Sequence, residues 1–294
     1  MYLGIDIGGT YIKYALLDHE FQIKKFWKKK TLFFHSVEDL YNVLCEDIDT
    51  SEIELIGVSA PGIIDPNSGE VRSRAADQIA VMCGSNPKEE IKKRLKCPVE
   101  VLNDGKAAGY CEVRKGNGQN TSSSVYWVIG TGIGGCVCRG MEIVEGKDGI
   151  AGEFSHIPVA IDNSKRCALG DVTSVGALVR IYNRHAKEET KVEDAKKVCE
   201  LYLAGDMNAK NAVDEWVDNQ IQGFQILTVI YNPEVICIGG AISKENWLID
   251  KIRKRFYETA FRFSDIMTTR IEVCQYGNDA NLLGAVMYAC DRLL

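Results

Sequence analysis

The sequence predicts an α/β protein built from two similar halves, each with a strand meander followed by alternating helices and strands. Three observations support this fold class. The glycine-rich segments IDIGGT near the start and VIGTGIGG near the middle each lie between two predicted strands. A third glycine pair follows another apolar strand. Helical patterns separate the later strands, so the sequence predicts a duplicated, mixed sheet with helices on both faces.

The elements follow in an order that repeats along the chain. In the first half we predict strands over residues 2–7, 11–18 and 21–31, a helix from about residue 36, a strand over 54–60, a helix over 88–95 and a strand over 98–103. In the second half we predict strands over 124–129, 135–140 and 141–144, a long helical region over 173–231 broken near Gly205, a strand over 234–240, a helix over 247–261, a strand over 270–275 and a helix from about 279.

The polar segment KGNGQNTSSS, residues 115–124, is the best boundary between the halves. We predict a first lobe of residues 1–117, completed by a C-terminal helix over 278–294, and a second lobe of residues 118–277. Two lobes with glycine turns that face each other predict a ligand site in the cleft between them.

Composition and charge narrow the function classes. The 294 residues are 46% hydrophobic and 26% charged, which is enough for a packed core in two domains. The net charge of -6 argues against a nucleic acid or an anionic membrane as the main partner. The start MYLGID lacks a basic leader and an apolar signal core, so we expect a cytoplasmic protein. The 11 cysteines include no Cys-x-x-Cys pair, and we expect reduced core residues, Cys136 and Cys138 among them.

The first glycine segment places an acid inside an apolar strand. Asp6 lies between Ile5 and Ile7, so its carboxylate should have a partner. Gly8 and Gly9 lack the β-carbons that would keep an anion from the backbone amides, and Thr10 adds a hydroxyl donor. These residues fit a phosphate-binding turn, and they fit equally well an ordinary hairpin in which the glycines only reverse the chain.

The second segment contains Gly130, Gly132 and Gly135 at the Gly-x-Gly-x-x-Gly spacing of dinucleotide-binding proteins. That motif must open a helix, whereas this segment continues as a strand, so we do not expect a dinucleotide site. The arrangement instead repeats that at Asp6. Gly239 and Gly240 follow an apolar strand and precede a helix, a suitable place for a nucleoside. The three segments together favour a nucleotide-phosphate site.

Asn103 and Asp104 come directly after a predicted strand and begin a helix. Asp104 is either the N-cap of that helix, a position that Asp favours, or a general base that takes a proton from a hydroxyl.

The segments DIGGTYIK, NDGKAAG, IGTGIGG, GEFSH and ICIGGAIS resemble the signature segments of the ROK family of sugar kinases and repressors. The resemblance covers essentially the whole chain. It implies the two-lobed, ribonuclease H-like fold of the actin-like ATPases, with the active site in the interlobe cleft. It also implies an enzyme that transfers the γ-phosphoryl group of ATP to a hexose with the help of Mg²⁺.

The resemblance assigns roles to individual residues. Asp6 would orient Mg²⁺ through water, Asp104 would be the catalytic base, and Gly239 and Gly240 would lie at the nucleoside. The phosphates would contact Gly8, Gly9, Thr10 and Lys13 from the first half and Thr131, Gly132 and Gly134 from the second. The sugar would contact Asn103, Asp104, Glu153 and His156.

The sequence departs from the family pattern after His156. Many members continue with a Cys-x-Cys-Gly-x-x-Gly-Cys zinc motif and then a glutamate that contacts the sugar. Here Cys167 is the cysteine of this region, Gly170 stands at the glutamate position, and Asp171 lies beside it. Because structural zinc normally takes four protein ligands, we predict that the chain binds none.

The leading hypothesis is an ATP-dependent hexose kinase, with glucose as the first candidate sugar and a homodimer as the expected assembly. N-acetylmannosamine, other amino sugars, fructose and β-glucosides are alternative substrates. A non-catalytic sugar-binding regulator is the alternative from another class. A DNA-binding repressor would carry a helix-turn-helix ahead of the first glycine turn, and here that turn begins at residue 8, so we expect no nucleic-acid partner.

Overall fold

The computed structural model describes residues 1–162, 165–259, 262–277 and 279–294. The chain divides into two compact units. The first unit comprises Met1–Gln119, Cys136–Gly152 and Asn278–Leu294, and the second comprises Asn120–Gly135 and Glu153–Gly277. This division differs from the predicted one in assigning residues 136–152 to the first unit. Within the described residues, no helix is both long enough and apolar enough to span a membrane.

The sheet of the first unit has the strand order β3-β2-β1-β4-β5. Its strands are β1 (Tyr2–Ile7), β2 (Tyr11–Leu17), β3 (Ile23–Lys30), β4 (Leu55–Ala60) and β5 (Val99–Asn103). β1 and β3 run antiparallel to β2, whereas β4 is parallel to both β1 and β5. Every residue of β1 and β4 is buried, as expected for central strands that are covered on both faces.

Helices cover this sheet. They are α1 (Val37–Cys45), α2 (Pro87–Leu95), α3 (Asp104–Lys115) and the C-terminal α9 (Ala280–Leu293), and a 3₁₀ segment spans Asp77–Met82. The Ser36 and Asn86 side chains cap α1 and α2, and Pro87 occupies the first turn of α2. α9 lies so close to β4 that a β-carbon on Gly57 would be 2.4 Å from the Ala285 backbone. A glycine in the central strand therefore permits this packing.

The second sheet repeats the pattern, with the order β12-β11-β6-β7-β8. Its strands are β6 (Ser123–Ile129), β7 (Ile133–Arg139), β8 (Glu142–Ile143), β11 (Val235–Gly239) and β12 (Arg270–Val273). β11 is parallel to β6 and β12, and β8 is antiparallel to β7. The order from meander to parallel strands is the same as in the first sheet, which confirms the predicted duplication. β7 begins in the second unit and ends in the first.

The helices of the second unit are α4 (Gly170–Thr173), α5 (Val175–His185), α6 (Ala195–Leu203), α7 (Met207–Ile230) and α8 (Asn246–Glu258). Ser174, Asp194 and Asp206 cap α5, α6 and α7 with their side chains. The predicted break near Gly205 is present, and a further interruption separates α5 from α6. The structure also contains a hairpin that the sequence analysis did not predict, formed by β9 (Pro158–Asp162) and β10 (Lys165–Ala168).

Candidate active site

Asp6 is buried in the first unit, with 5% of its surface exposed, and the strand register explains its partners. β2 places Lys13 opposite Asp6, and β4 places Ser59 opposite it on the other side. The Lys13 Nζ atom lies 3.0 Å from Asp6 Oδ2, and the Ser59 hydroxyl donates to Oδ1 at 2.8 Å. Asn281 at the start of α9 donates a longer bond of 3.4 Å to Oδ1. The carboxylate that the sequence predicted to need a partner therefore has three.

The first glycine turn, residues 8–10, is packed against protein on the sides where β-carbons would lie. The Gly8 amide donates to the Tyr11 carbonyl at 3.1 Å, and a β-carbon on Gly8 would be 2.8 Å from that oxygen. A β-carbon on Gly9 would be 2.6 Å from the Ala76 side chain. Thr10 is exposed. Gly8 is thus required by the turn itself and Gly9 by its packing against Ala76, while Thr10 is exposed and accessible to a ligand.

Thr31, which the sequence analysis did not single out, fastens this turn from the end of β3. Its hydroxyl donates to the Gly8 carbonyl at 2.6 Å, and its amide donates to the Thr10 carbonyl at 3.0 Å. The antiparallel register of the meander could have indicated this contact. β3 pairs Lys30 with Tyr11 and so places the next residue, Thr31, beside the turn. Thr31 therefore holds two carbonyls of the turn.

Asn103 and Asp104 have different roles at the start of α3. The Asn103 side chain is the cap: its Oδ1 accepts from the Lys106 amide at 3.1 Å, and its Nδ2 donates to the Gly62 carbonyl at 3.0 Å. Asp104 is the first helical residue, is half-buried, and accepts from the Gly105 amide at 2.8 Å. The interpretation of Asp104 as the helix cap is wrong, because the preceding asparagine fills that position.

Lys106, which was not predicted to be a functional residue, carries a buried charge in the first turn of α3. It is 2% exposed, and its Nζ donates to the Gly149 carbonyl at 2.8 Å and lies 3.8 Å from Glu145 Oε2. Gly149 itself has a φ of +76° and packs against the Ile64 carbonyl. These contacts explain why residues 136–152 belong to the first unit. NDGKAAG shows a lysine among small residues but does not indicate its partners.

The second glycine turn, residues 130–135, lies in the second unit and has its own support. The Gly130 amide donates to the Gly132 carbonyl at 2.9 Å, and the Val175 amide donates to the Gly130 carbonyl at 2.9 Å. Thr131 and Gly134 are exposed. The accessible positions of this turn are therefore two of the residues that the resemblance assigns to phosphate.

The segment with Glu153 and His156 forms a short 3₁₀ turn over Phe154–His156. Phe154 is buried and stacks on Trp127, with the ring centroids 5.3 Å apart. Glu153 is half-buried and does not cap the turn with its side chain, and His156 is exposed. The buried Phe154 ring therefore anchors the short turn that Glu153 precedes and His156 ends.

Ser155, between those two residues, contacts the second glycine turn directly. Its hydroxyl accepts from the Ile133 amide at 2.6 Å and donates to the Ile133 carbonyl at 3.1 Å. The structure thus brings the predicted sugar segment and the predicted phosphate turn of the second unit together through a residue that the sequence analysis had not assigned.

The third glycine pair ends β11. Gly240 has a φ of +98°, and a β-carbon there would be 2.1 Å from the Ile129 carbonyl. Gly239 lies against Val128 and Cys274. A short 3₁₀ segment, Ala241–Lys244, and then α8 follow, so the predicted order of strand, glycine pair and helix is present. Gly240 is exposed and offers bare backbone to a ligand.

The region after His156 contains the hairpin of β9 and β10, in which Cys167 pairs with Val159. Gly170 begins α4, and the Asp171 carboxylate accepts from the Ala168 amide at 3.0 Å. Within residues 1–162, 165–259, 262–277 and 279–294, no group of three or more His, Cys, Asp and Glu side chains is arranged to hold a metal ion. The absence of structural zinc stays a prediction.

Comparison with known proteins places this geometry in a family, because the model of the ROK family matches residues 2–292. The chain belongs to the ROK family. It is 30% identical to a glucokinase of Halalkalibacterium halodurans over 96% of this chain and 93% of the relative. It is 26% identical to an N-acetylmannosamine kinase of Haemophilus influenzae over 99% of this chain and 96% of the relative.

The fold of this ROK protein is that of solved family members. A ROK family glucokinase from Streptomyces griseus in complex with glucose and AMPPNP aligns with a TM-score of 0.78 and 26% identity, over 99% of each chain. The predicted actin-like ATPase fold, with two mixed sheets and surrounding helices, is confirmed.

Proposed function

We propose that this ROK protein is an ATP-dependent sugar kinase that transfers the γ-phosphoryl group of ATP to the primary hydroxyl of a hexose, with glucose as the first candidate. The observation that carries the proposal is that Asn103 and Asp104 have different roles at the start of α3. Asn103 fills the capping position, so the Asp104 carboxylate is not needed for it. A carboxylate in the first turn of a helix that directly follows a strand is suited to take a proton from a sugar hydroxyl.

In the proposed reaction the sugar hydroxyl attacks the γ-phosphorus in line while Asp104 removes its proton. The backbone amides of the glycine turns would stabilise the charge on the phosphate oxygens. We propose phosphate contacts from Gly8, Gly9, Thr10, Lys13, Thr131, Gly132 and Gly134, and nucleoside contacts from Gly239 and Gly240. Lys13 would offer the phosphates a cation that Asp6 holds in place.

Asp6 suits the magnesium ion that accompanies ATP in such reactions. Mg²⁺ keeps several waters and takes one or two carboxylates together with the phosphates of the substrate. Asp6 is one buried carboxylate, two residues ahead of the first glycine turn, and Lys13 already neutralises Oδ2. This donor set fits an ion that is held through water. When bound, magnesium would neutralise negative charge on the phosphate oxygens.

The sugar contacts are proposed from residues of both sequence segments. Asp104 would accept from the reacting hydroxyl, and Glu153 and His156 would bond further hydroxyls. Asn103 would act mainly by holding α3 and the Gly62 carbonyl, since both ends of its amide already have partners. Asp171 is a weak candidate for a sugar contact, because one oxygen accepts from the Ala168 amide.

The test is a coupled assay of ADP release over glucose, N-acetylmannosamine, other amino sugars, fructose and a β-glucoside. We expect Asp104→Asn to lower kcat by about 10²-fold or more, with nucleotide binding nearly unchanged. The matched control is Asp194→Asn, which changes the cap of α6 to a residue that caps equally well. Near-normal turnover of Asp104→Asn would exclude it as the base.

The same assay separates a kinase from a non-catalytic sugar-binding regulator, because a regulator would bind sugar without releasing ADP. The N-acetylmannosamine kinase of Haemophilus influenzae keeps that amino sugar as the second candidate substrate. We also expect a cytoplasmic protein that forms a homodimer. Light scattering after size-exclusion chromatography would test the dimer through its molar mass.

A further inference from the structure

Ser155 is half-buried in the second unit, and its hydroxyl contacts a buried part of the backbone. Its hydroxyl lies between the amide and the carbonyl of Ile133, at 2.6 and 3.1 Å, and uses both its proton and one lone pair there. Ile133 is 3% exposed, so water has little access to these backbone groups. A buried amide that loses its acceptor is costly, and the Ser155 hydroxyl is therefore needed where it lies.

Two glycines leave the space for this hydroxyl. A β-carbon on Gly132 would be 2.8 Å from Ser155 Oγ. A β-carbon on Gly170 would be 2.8 Å from the same atom and 3.1 Å from the Ser155 β-carbon. The two glycines come from the second glycine turn and from the start of α4, so two segments that are distant in the chain pack against the Ser155 side chain.

Two residues that we propose as sugar contacts lie close to Ser155 in the sequence. Glu153 and His156 belong to the same short turn, which the buried Phe154 ring anchors on Trp127. Ile133 directly follows Thr131 and Gly132 of the second glycine turn. One hydroxyl thus connects the backbone of the proposed phosphate turn to the proposed sugar segment.

We propose that Ser155 is a positioning residue that holds the second glycine turn, residues 130–135, in its nucleotide-binding conformation and couples that turn to the sugar segment, residues 153–156. This inference rests on the proposed function for the identity of the two ligands. It assigns Ser155 no contact with either ligand, because both hydrogen bonds of its hydroxyl that the structure shows are to Ile133.

The first experiment removes the hydroxyl and keeps the β-carbon. We expect Ser155→Ala to raise the Kd of a non-hydrolysable ATP analogue, measured by calorimetry, on the order of tenfold, because the turn loses its fastening. The KM for ATP should rise by a similar factor while kcat at saturation changes little, the pattern of lost uniform binding. The matched control is Ser122→Ala, which removes an exposed hydroxyl bonded to Glu234 in the same unit and should change neither value.

Coupling is read from the same calorimetry. In the wild-type protein, saturating sugar should lower the Kd of the analogue about fivefold or more, and in Ser155→Ala this factor should approach one. An unchanged Kd in Ser155→Ala would overturn the positioning role. An absence of coupling in the wild-type protein, or equal coupling in the variant, would overturn the link between the two segments.

The second experiment approaches the same hydroxyl from Gly170. Gly170→Ala should displace the Ser155 side chain, so it should lower the urea midpoint of unfolding and raise the Kd of the analogue much as Ser155→Ala does. In a Ser155→Gly background, Gly170→Ala should add less to either loss than it costs in the wild-type protein, because the Ser155 Oγ and Cβ atoms at 2.8 and 3.1 Å are gone and the Cα atom at 3.3 Å remains. Additive losses would contradict the proposed contact.

These outcomes are separate from the fate of the proposed function. If no sugar in the panel is phosphorylated, the kinase proposal fails, while analogue binding by Ser155→Ala and the unfolding midpoints of the Gly170 variants still report on the turn. If turnover is normal and neither analogue binding nor stability responds to Ser155, the positioning role fails and the kinase proposal stands.

Discussion

The first and second units each place a glycine turn between two strands, but different side chains hold the two turns. In the first unit Asp6 lies two residues ahead of Gly8, and Lys13, five residues after Gly8, pairs with it across the strands. Counted from Gly130 in the same way, the second unit has Val128 and Gly135 at these positions. The ion pair of the first turn therefore has no counterpart in the second.

The second turn is held by a residue outside β6 and β7, the two strands that flank it. Ser155 follows Ile133 by 22 residues and binds both of its backbone groups. The first turn, in contrast, is held by neighbours of its own meander, with Thr31 bonded to the carbonyls of Gly8 and Thr10. The same sequence pattern, a strand, a glycine turn and a strand, therefore does not determine which residues support the turn.

The largest expected effect comes from changing Asp6, the acid ahead of the first turn, where the second turn has Val128. Asp6→Asn keeps the size of the side chain and removes the charge that Lys13 and the proposed magnesium site share, so we expect kcat to fall by about 10²-fold or more. Steady-state kinetics with ATP measures this. Ser59→Ala removes one hydrogen bond to the same carboxylate and should cost much less. Equal losses in the two variants would show that the charge of Asp6 is not the essential property.

A second prediction compares the glycines that follow the corresponding parallel strands, β4 and β11. Gly62 and Gly240 both have a positive φ, of +93° and +98°. A β-carbon would be 3.0 Å from the Ser73 carbonyl at Gly62 but 2.1 Å from the Ile129 carbonyl at Gly240. We expect Gly240→Ala to lower the free energy of unfolding by about 3 kcal/mol or more and Gly62→Ala by about 1–2 kcal/mol.

Urea unfolding of the two alanine variants provides the measurement. Gly84 is a suitable control, because its φ is +86° while nothing lies within 4 Å of a β-carbon there, so Gly84→Ala isolates the backbone strain. Similar losses in the Gly240 and Gly84 variants would contradict the clash at Ile129.

The sequence predicts the elements of both halves well because their apolar strands and glycine turns are local signals. Residues 2–7, 11–18 and 98–103 were predicted within a residue or two of β1, β2 and β5. The need of Asp6 for a partner was predicted, but its pairing with Lys13 was not, and it follows from the antiparallel register of β1 and β2 in the structure. The hairpin of β9 and β10 was missed because its strands are short and polar at their junction, which gives little period-two signal.

Contacts between segments that are distant in the chain could not be predicted from the sequence. Nothing near Ser155 in GEFSH indicates that its hydroxyl binds Ile133, and nothing near Lys106 indicates that its charge lies against the Gly149 carbonyl. Both contacts depend on how loops pack after the sheets form. Their partners are backbone atoms, which have no sequence signature, so residue types alone do not reveal them.

A third prediction breaks the ion pair from its other side. Lys13→Met leaves the buried Asp6 carboxylate, among the described residues, with the neutral donors Ser59 and Asn281. We expect the free energy of unfolding to fall by about 1–2 kcal/mol, a modest value because the Lys13 side chain is 29% exposed. Adding Asp6→Asn should recover part of this loss without restoring turnover. A double variant no more stable than Lys13→Met would show that the pair does not couple in stability.

The smallest effect concerns the strand that follows the second turn. Cys136 follows Gly130 by as many residues as Tyr14 follows Gly8, so the two positions correspond. Tyr14 is buried, and its hydroxyl donates to the Leu44 carbonyl, whereas the Cys136 sulfur lies 3.4 Å from the Cys138 sulfur. Burial, with the neighbouring Cys138 thiol, raises the pKa of Cys136 well above its ordinary value of 9.0. The folded protein therefore keeps this proton at a pH at which the unfolded chain releases it.

The sign of the resulting pH dependence follows from proton binding. Below pH 9 both states hold the proton, so Cys136 adds no pH dependence there. As the pH rises above that value the unfolded state loses the proton first, and wild-type stability falls relative to Cys136→Ala by up to about 1.4 kcal/mol for each pH unit. Urea unfolding under reducing conditions at about pH 7, where the thiol is protonated, and at about pH 10 measures the difference. Val137→Ala, on the same strand but without a titrating group, should show a loss that does not change with pH, and a Cys136→Ala difference equally constant would mean that the thiol ionises alike in both states.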